Sequence, residues 1–311
     1  MALTNTGSAG LSVTMKTFYD RVLLERTLPV LLHDQFGQKK TIPSGTGKTI
    51  EFRRFAGLPV ATTPLTEGVP PTLKDITMTS VTVTIAQYGD AVGFTDLVST
   101  TTFDPILTET TAVLGEEAGE TIDELVRDVL NQGTTVLLSS TASASANRAA
   151  ISTGDIASVA ELRKCVRTLI TNRSKPINGY FQAIVHPRVA YDIQSTAEWV
   201  TANQFHQTSR QFDGSLGTLY GIKFWVSDKA KIFAGLGEGS IDVYSTLIFG
   251  QNAYGVVSLD GNSLKSFYKP LGSAGTADPV DQQQSMGWKV TLATKILNDA
   301  FMIRYETAVS A

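Results

Sequence analysis

Residues 44–49 read Ser-Gly-Thr-Gly-Lys-Thr, and Gly47-Lys48-Thr49 matches the end of the phosphate-cradling loop G-x-x-x-x-G-K-[ST]. That chemistry needs a glycine turn opening onto a helix whose N-terminal N–H groups meet phosphate. Here Ile42 stands where the first glycine belongs, and the following TIEFRRF alternates like a strand. The segment therefore reads as a turn feeding a strand rather than a nucleotide site. Glu116, Glu120 and Glu124 recur at i, i+4, which stacks three carboxylates on one helix face. Such a face is a solvated surface, a docking strip for basic groups of a neighbour such as Lys16, Arg53 or Arg54, or a set of oxygen ligands for a divalent cation. One cysteine, Cys165, and three histidines, His33, His186 and His206, are too few nitrogen and sulfur donors for a zinc cluster. Cys165 shares helical spacing with Val159, Leu162, Val166 and Leu169, so it reads as a small buried hydrophobe. His186, before Pro187, reads as a strand-end residue, and Asp278 and Asp281 as turn and cap residues. No catalytic, cofactor-binding or metal set emerges, and the expectation is a protein that is not an enzyme and carries no cofactor.

The elements that position these residues follow from periodicity. The first dozen residues are small and polar and form an arm. Phe18, Val22, Leu23, Leu24, Leu28, Leu31 and Leu32 recur near helical spacing, with Pro29 set to kink or end the helix. TIEFRRF and TMTSVTVTIAQYG flank a Pro/Gly/Thr-rich stretch and read as a long two-stranded excursion; two strands alone are marginal in water, so this one needs a support, for which another subunit is the candidate. Asp104-Pro105 opens a helix of about 27 residues, roughly 40 Å, that stops at Asn131-Gln132-Gly133. Ile106, Leu107, Val113, Leu114, Ile122, Leu125, Val126, Val129 and Leu130 form its apolar stripe. Glu116, Glu117, Glu120, Asp123 and Glu124 form the opposite face, Asp123 pairs with Arg127 at i+4, and Gly115 and Gly119 mark a close approach. Residues 134–155 read as a hairpin or flexible bridge. Ser158 and Glu161 match a capping box for a helix through Ile170, and strands follow at YFQAIV, IKFWV, IDVYSTLIFG and the closing pair GWKVTLATKI and AFMIRYE. The fold class is α+β.

Charge is uneven along the chain. Of 311 residues 18% are charged and 42% hydrophobic, with a formal net charge of −3. Residues 1–56 hold eight Lys and Arg against four Asp and Glu, residues 57–160 three against thirteen, and residues 161–311 fifteen against twelve. A basic start beside an acidic middle suggests an intrachain contact or attraction between copies. The overall balance supplies no strong phosphate-binding stripe, so any DNA contact is expected to be weak and independent of sequence. No run of apolar residues is long enough for a membrane span, and the start lacks a secretory signal, so no membrane partner is expected and synthesis in a reducing cytoplasm is.

Several stretches together resemble a known family: residues 42–68 (IPSGTGKTIEFRRFAGLPVATTPLTEG), Gln87-Tyr88-Gly89 running into GFTDL, residues 214–228 (GSLGTLYGIKFWVSD), LIFGQNAYG, DPVDQQQSMGWKV and ILNDAFMIRYE. They resemble the tailed-bacteriophage major capsid proteins of the Hong Kong ninety-seven type fold, closest to the phage N-four-like major capsid proteins. The resemblance implies an N-terminal arm and short helix over 1–32, an extended β-hairpin loop with flanking peripheral-domain strands over 33–100, and a peripheral domain with a spine helix over 101–154. It implies an axial α+β domain over 155–260 and a C-terminal return to the peripheral domain over 261–311. The loop, about residues 49–97, would lie across an adjacent subunit. Copies would form pentamers and hexamers of an icosahedral shell enclosing double-stranded phage DNA held without sequence specificity. Portal protein, and scaffolding or decoration proteins, would be the other partners. No long scaffolding segment precedes the arm, so a separate scaffolding protein, or none, is expected to guide assembly. Location would be the virion, after synthesis in the host bacterial cytoplasm. Lys16, Arg21, Arg53, Arg54, Glu67, Lys74, Glu117 and Glu120 are the expected intersubunit charge contacts. An encapsulin-like compartment shell is the alternative of the same fold, and a nucleotide-binding enzyme the alternative of a different class.

Overall fold

The computed structural model describes residues 21–27, 31–55, 57–65, 67–71, 73–101, 106–139, 147–196, 216–260, 264–273, 275 and 278–310. Alternating and continuous apolar runs sort its strands into two main sheets and a ribbon. One sheet is ordered β1 (Gln38–Ile42), β11 (Tyr254–Leu259), β13 (Gln283–Ile296), β12 (Lys265–Lys269), with β4 (Ala86–Thr95) also paired along β13. The other is ordered β5 (Val136–Leu138), β14 (Met302–Thr307), β10 (Val243–Phe249), β6 (Phe181–Val185), β8 (Ile222–Val226), β7 (Thr218–Leu219), with β9 (Ile232–Phe233) on β10. β2 (Thr49–Phe55) and β3 (Met78–Thr84) pair only with each other, Arg53 opposite Ser80.

Continuous burial distinguishes the centre of the seven-stranded sheet, where every residue of β6 and of β10 is buried. Both faces of that sheet are covered. Helices α4 (Val159–Thr171) and α5 (Pro187–Gln194) lie on one face, placing Leu162, Cys165, Leu169, Val189 and Ile193 against Ala183, Val185, Ile222 and Ile248. On the other face Val126 and Leu130, the last turns of α3 (Ile106–Leu130), meet Ile184, Leu247, Phe249 and Met302. The earlier turns of the same helix serve the first sheet, where Leu114, Ala118 and Ile122 pack on Met286, Trp288, Val290 and Leu292 of β13. At 25 residues, about 37 Å, α3 is long because it spans two cores rather than one.

A short helix over residues 21–27, α1, lies across α3 at Gly115, and a second short helix, α2 (Asp96–Thr101), follows β4 directly. A Cβ at Gly115 would sit 2.7 Å from the Leu23 carbonyl oxygen, so glycine is what lets the two backbones touch. The Thr27 hydroxyl donates to the Leu23 and Gly115 carbonyls, both at 2.8 Å, and Leu23 is buried at the joint. Gly115 thus fulfils the expected close approach. The expected cap at Asp104-Pro105, and Phe18, Leu28 and Pro29 of the first helical pattern, fall outside the described residues.

Five expectations need correction. TMTSVTVTIAQYG is not one strand: it divides at Ile85, β3 staying in the ribbon and β4 joining β13 for ten residues of register. The excursion therefore ends near residue 84, not 97. The described parts of 134–155, expected as a hairpin or flexible bridge, are fastened to the body instead, since β5 pairs in parallel with β14 and Arg148 is tied to Glu306. The two closing strands do not pair with each other: β13 belongs to the first sheet and β14 to the second, and the turn at Asp299–Phe301 carries the chain between them. For the same reason residues 261–311 do not return as one unit, and β11, within the 155–260 segment, lies in the first sheet beside β13. Finally, two side chains of α3 stand on unexpected faces, Val113 being exposed and Asp123 fully buried.

Candidate assembly surface

Among the described residues the ribbon is anchored only at its foot. Ile42, Phe52, Val83 and Val257 form a small core there, with Lys40 Nζ 4.4 Å above the Phe52 ring. Beyond Phe52 both strands are exposed on both faces. The described connecting residues form no helix or strand, and from the end of β2 to the start of β3 eight large apolar side chains stand in solvent: Phe55, Leu58, Val60, Leu65, Val69, Leu73, Ile76 and Met78. Folding alone leaves such a chain of apolar groups wet, and apolar exposure on this scale marks an interaction surface. Pro59, Pro64, Pro70 and Pro71 interrupt the run, which keeps it from forming a helix or a longer edge strand.

The charged residues expected at contacts lie in different settings. Arg53, Arg54, Glu67 and Lys74 are all exposed on this ribbon, where Arg53 Nε is 3.6 Å from Glu51 and Lys74 Nζ is 3.4 Å from the Pro59 carbonyl. Arg21 is exposed on α1, and Lys16 lies outside the described residues. Glu117 and Glu120 are engaged within the chain. The Glu117 carboxylate accepts from Trp288 Nε1 at 3.3 Å, and its pKa is raised by partial burial and by neighbouring Asp90, against the Trp288 bond. Glu120 is 2.9 Å from Lys229, whose ammonium it pushes above the ordinary lysine range.

Most of the acidic stripe is neutralised in the same way. Glu116 pairs with Arg26 at 3.0 Å, Glu124 with Arg127 at 3.3 Å, and Asp128 with Arg127 and Lys231. The three glutamates that stack at i, i+4 thus have three separate cations. Among the described residues no three His, Cys, Asp or Glu side chains gather as a metal site, and no helix is long and apolar enough to cross a membrane. Of the two ideas raised by the uneven charge, the intrachain contact is realised at Arg26–Glu116.

Asp123 does not pair with Arg127. Its carboxylate accepts the His33 ring at 2.6 Å, the Leu32 N–H at 2.8 Å and the His33 N–H at 2.6 Å, with both side chains 0% exposed. The Tyr254 hydroxyl, whose pKa burial pushes up, donates to the His33 carbonyl at 2.5 Å. This clip fixes residues 31–37, the chain entering β1 and the ribbon, onto α3. Sequence reasoning missed it because His33 and Asp123 are far apart in the chain, and Asp123 sits in an acidic run that resembles a solvated face.

Other singled-out residues are structural. The segment 43–47 is a turn, with Gly45 and Gly47 at positive φ and the Thr46 hydroxyl donating to the Pro43 carbonyl, and it leads into β2 instead of a helix. Cys165 is buried and its thiol is pushed up to about 12, first by desolvation and then by Glu161, which leaves it without thiolate reactivity. His186 caps α5, its Nδ1 accepting from Arg188 N–H at 3.2 Å. Ser158 caps α4 as expected, but Glu161 does not complete the box: its carboxylate accepts the Tyr305 hydroxyl at 2.5 Å, linking the helix start to β14.

The family model described as phage capsid protein matches residues 78–305. No curated relative matches the chain. Among solved structures it is similar to the capsid of cyanophage Pam1, at 13% identity and a TM-score of 0.72 over 93% of each chain. It is similar to the capsid of cyanophage P-SCSP1u at 18% identity and a TM-score of 0.67, over 90% of this chain and 89% of that one. A virus-like particle from Pyrococcus furiosus is also similar, at 11% identity and a TM-score of 0.55, over 94% and 99%. At these identities what is shared is the fold, the Hong Kong ninety-seven type expected from the sequence.

Proposed function

The chain belongs to the phage capsid protein family, and on that premise we propose how its regions divide the work of building a shell. It is a major capsid protein: copies form the head shell of the virion. The two-sheet body, held by α3, acts as the wall unit, and the ribbon reaches over the body of the next copy. Pentamers and hexamers are the closed rings that this contact generates. The observation that carries the reading is the row of eight exposed apolar side chains on a ribbon whose strands pair only with each other. A neighbouring copy supplies the missing face, and each such contact can be modest because a closed shell repeats it many times. Arg53, Arg54, Glu67 and Lys74 steer and register the ribbon, while Arg21 contributes at the rim. The shell encloses double-stranded DNA, joins a portal protein, and takes guidance or decoration from separate proteins after synthesis in the host cytoplasm. The seven-stranded sheet with α4 and α5 is the axial region, and the first sheet with α3 the peripheral region.

Negative-stain electron microscopy of the protein expressed alone is the test, with closed shells or five- and six-membered rings expected. Leu65→Asp with Leu73→Asp, and separately Arg53→Glu with Arg54→Glu, should give folded subunits that no longer assemble. Unaltered shells from both variants would sink the role given to the ribbon.

A further inference from the structure

The outer face of α4 carries charge that no described residue answers with an ion pair. Arg163, Lys164 and Arg167 are exposed on the helix, and Arg173 and Lys175 on the segment that follows it. None of the five forms an ion pair among the described residues. The acid of the helix itself, Glu161, is buried and committed to Tyr305, and Asp192 on α5 is buried and held by Ser310. Like charges three and four residues apart destabilise a bare helix, so this arrangement persists against its own repulsion. Arg163 and Arg167 line a groove of about 350 Å³ with Val166, Ile170, Thr171 and Tyr220. Tyr220, at φ 46° in the turn between β7 and β8, lies 5.0 Å below the Arg163 guanidinium and holds it at the groove.

The acidic face of a second copy is a poor match for this surface, because Glu116, Glu120, Glu124 and Asp128 already have cations of their own. The occupant has to bring unneutralised anions in a row, and a nucleic-acid backbone does so, with one charge per about 1.7 Å of duplex axis. We propose that this face binds the phosphodiester backbone of double-stranded DNA through Arg163, Lys164, Arg167, Arg173 and Lys175, without reading sequence. The proposal rests on the capsid reading and assigns its DNA contact to one surface. It also revises the expectation drawn from overall charge, since folding gathers cations that the net value averages away.

The test is fluorescence anisotropy of a labelled duplex of about 30 base pairs, titrated with the full chain over roughly 50 to 200 mM salt. Five contacts predict a log-log salt slope of about −4.5. Arg163→Ala with Arg167→Ala and Arg173→Ala should weaken binding at least about tenfold and flatten the slope by about 3, while the corresponding triple lysine variant keeps both. Duplex binding by the alanine variant equal to that of the parent would overturn the proposal. A parent that prefers polyglutamate to duplex would overturn it too, assigning the face to an acidic polypeptide. Electron microscopy of the same proteins separates this from the capsid reading. Shells from the alanine variant are expected, and their loss would mark α4 as a contact between copies instead. A parent that binds duplex through α4 yet forms no shells would leave the site standing and take down the capsid reading.

Discussion

Leu73 on the ribbon is 92% exposed and Leu169 on α4 is 0% exposed, although both are leucines in a chain of ordinary composition. The difference extends to charge. In the body, Glu306 is buried and held by Arg148 and Arg304 at 2.6 and 2.7 Å, and Asp123 by His33. On the ribbon, the Arg53–Glu51 contact is 3.6 Å long and open to water. Exposed pairs of that kind contribute little, whereas a buried charge that loses its partner is costly. The body therefore buries its apolar groups and pairs these acids within itself, and the ribbon leaves its apolar groups for another molecule. A shell protein needs both, because a subunit that satisfied every group alone would have no reason to assemble.

Mutations can break that contrast. The largest stability effect is expected for Asp123→Ala, which leaves the His33 ring and two backbone N–H groups buried without an acceptor and should cost about 3 to 5 kcal/mol in denaturant unfolding of the subunit. Leu169→Ala should cost about 2 to 5 kcal/mol in the same assay, and Leu73→Ala no more than about 0.5 kcal/mol. Comparable losses at these two leucines would mean that the ribbon folds onto its own body. Asp299→Ala should cost about 1 to 2 kcal/mol, because this carboxylate accepts from Thr134 and Thr135 where the chain crosses between the sheets. Burial alone would raise the Asp299 pKa, but those bonds outweigh it and lower it. Its contribution is thus complete above the ordinary aspartate range and lost as pH falls through the folded-state value, so the variant and parent should converge in acid. The smallest effect is expected at Glu117. Its raised pKa means the folded state prefers the protonated form, so stability declines as pH rises past the ordinary glutamate value. Glu117→Gln should therefore raise the unfolding midpoint slightly at pH 7 and change nothing at about pH 4.

Much of this was legible in the residues. Helical spacing marked α3 and α4, period-two alternation marked β3, and the poverty of apolar support marked a ribbon that needs a neighbour. The ribbon's apolar row was equally visible, in Leu58, Val60, Leu65, Val69 and Leu73 between prolines, but the charged residues beside it drew the assignment. What the pattern hid was partnership. Asp123 belonged by spacing to an acidic face, yet it is the buried acceptor of a clip to His33. Arg163, Lys164 and Arg167 were unremarkable in a region of mixed charge until folding buried its acids and left its cations outside.

The sequence by itself determined the local elements, because backbone hydrogen bonding and the side-chain repeat make helix and strand readable within a short window. It also determined that the ribbon cannot stand alone. Only the tertiary structure decided that one extended run divides at Ile85 between two sheets, that β13 and β14 part company, and that a single helix serves two cores. Those outcomes depend on which distant segments compete for the same strand edge or apolar face. Pairing energy is gained across long sequence separations, and no local pattern records it.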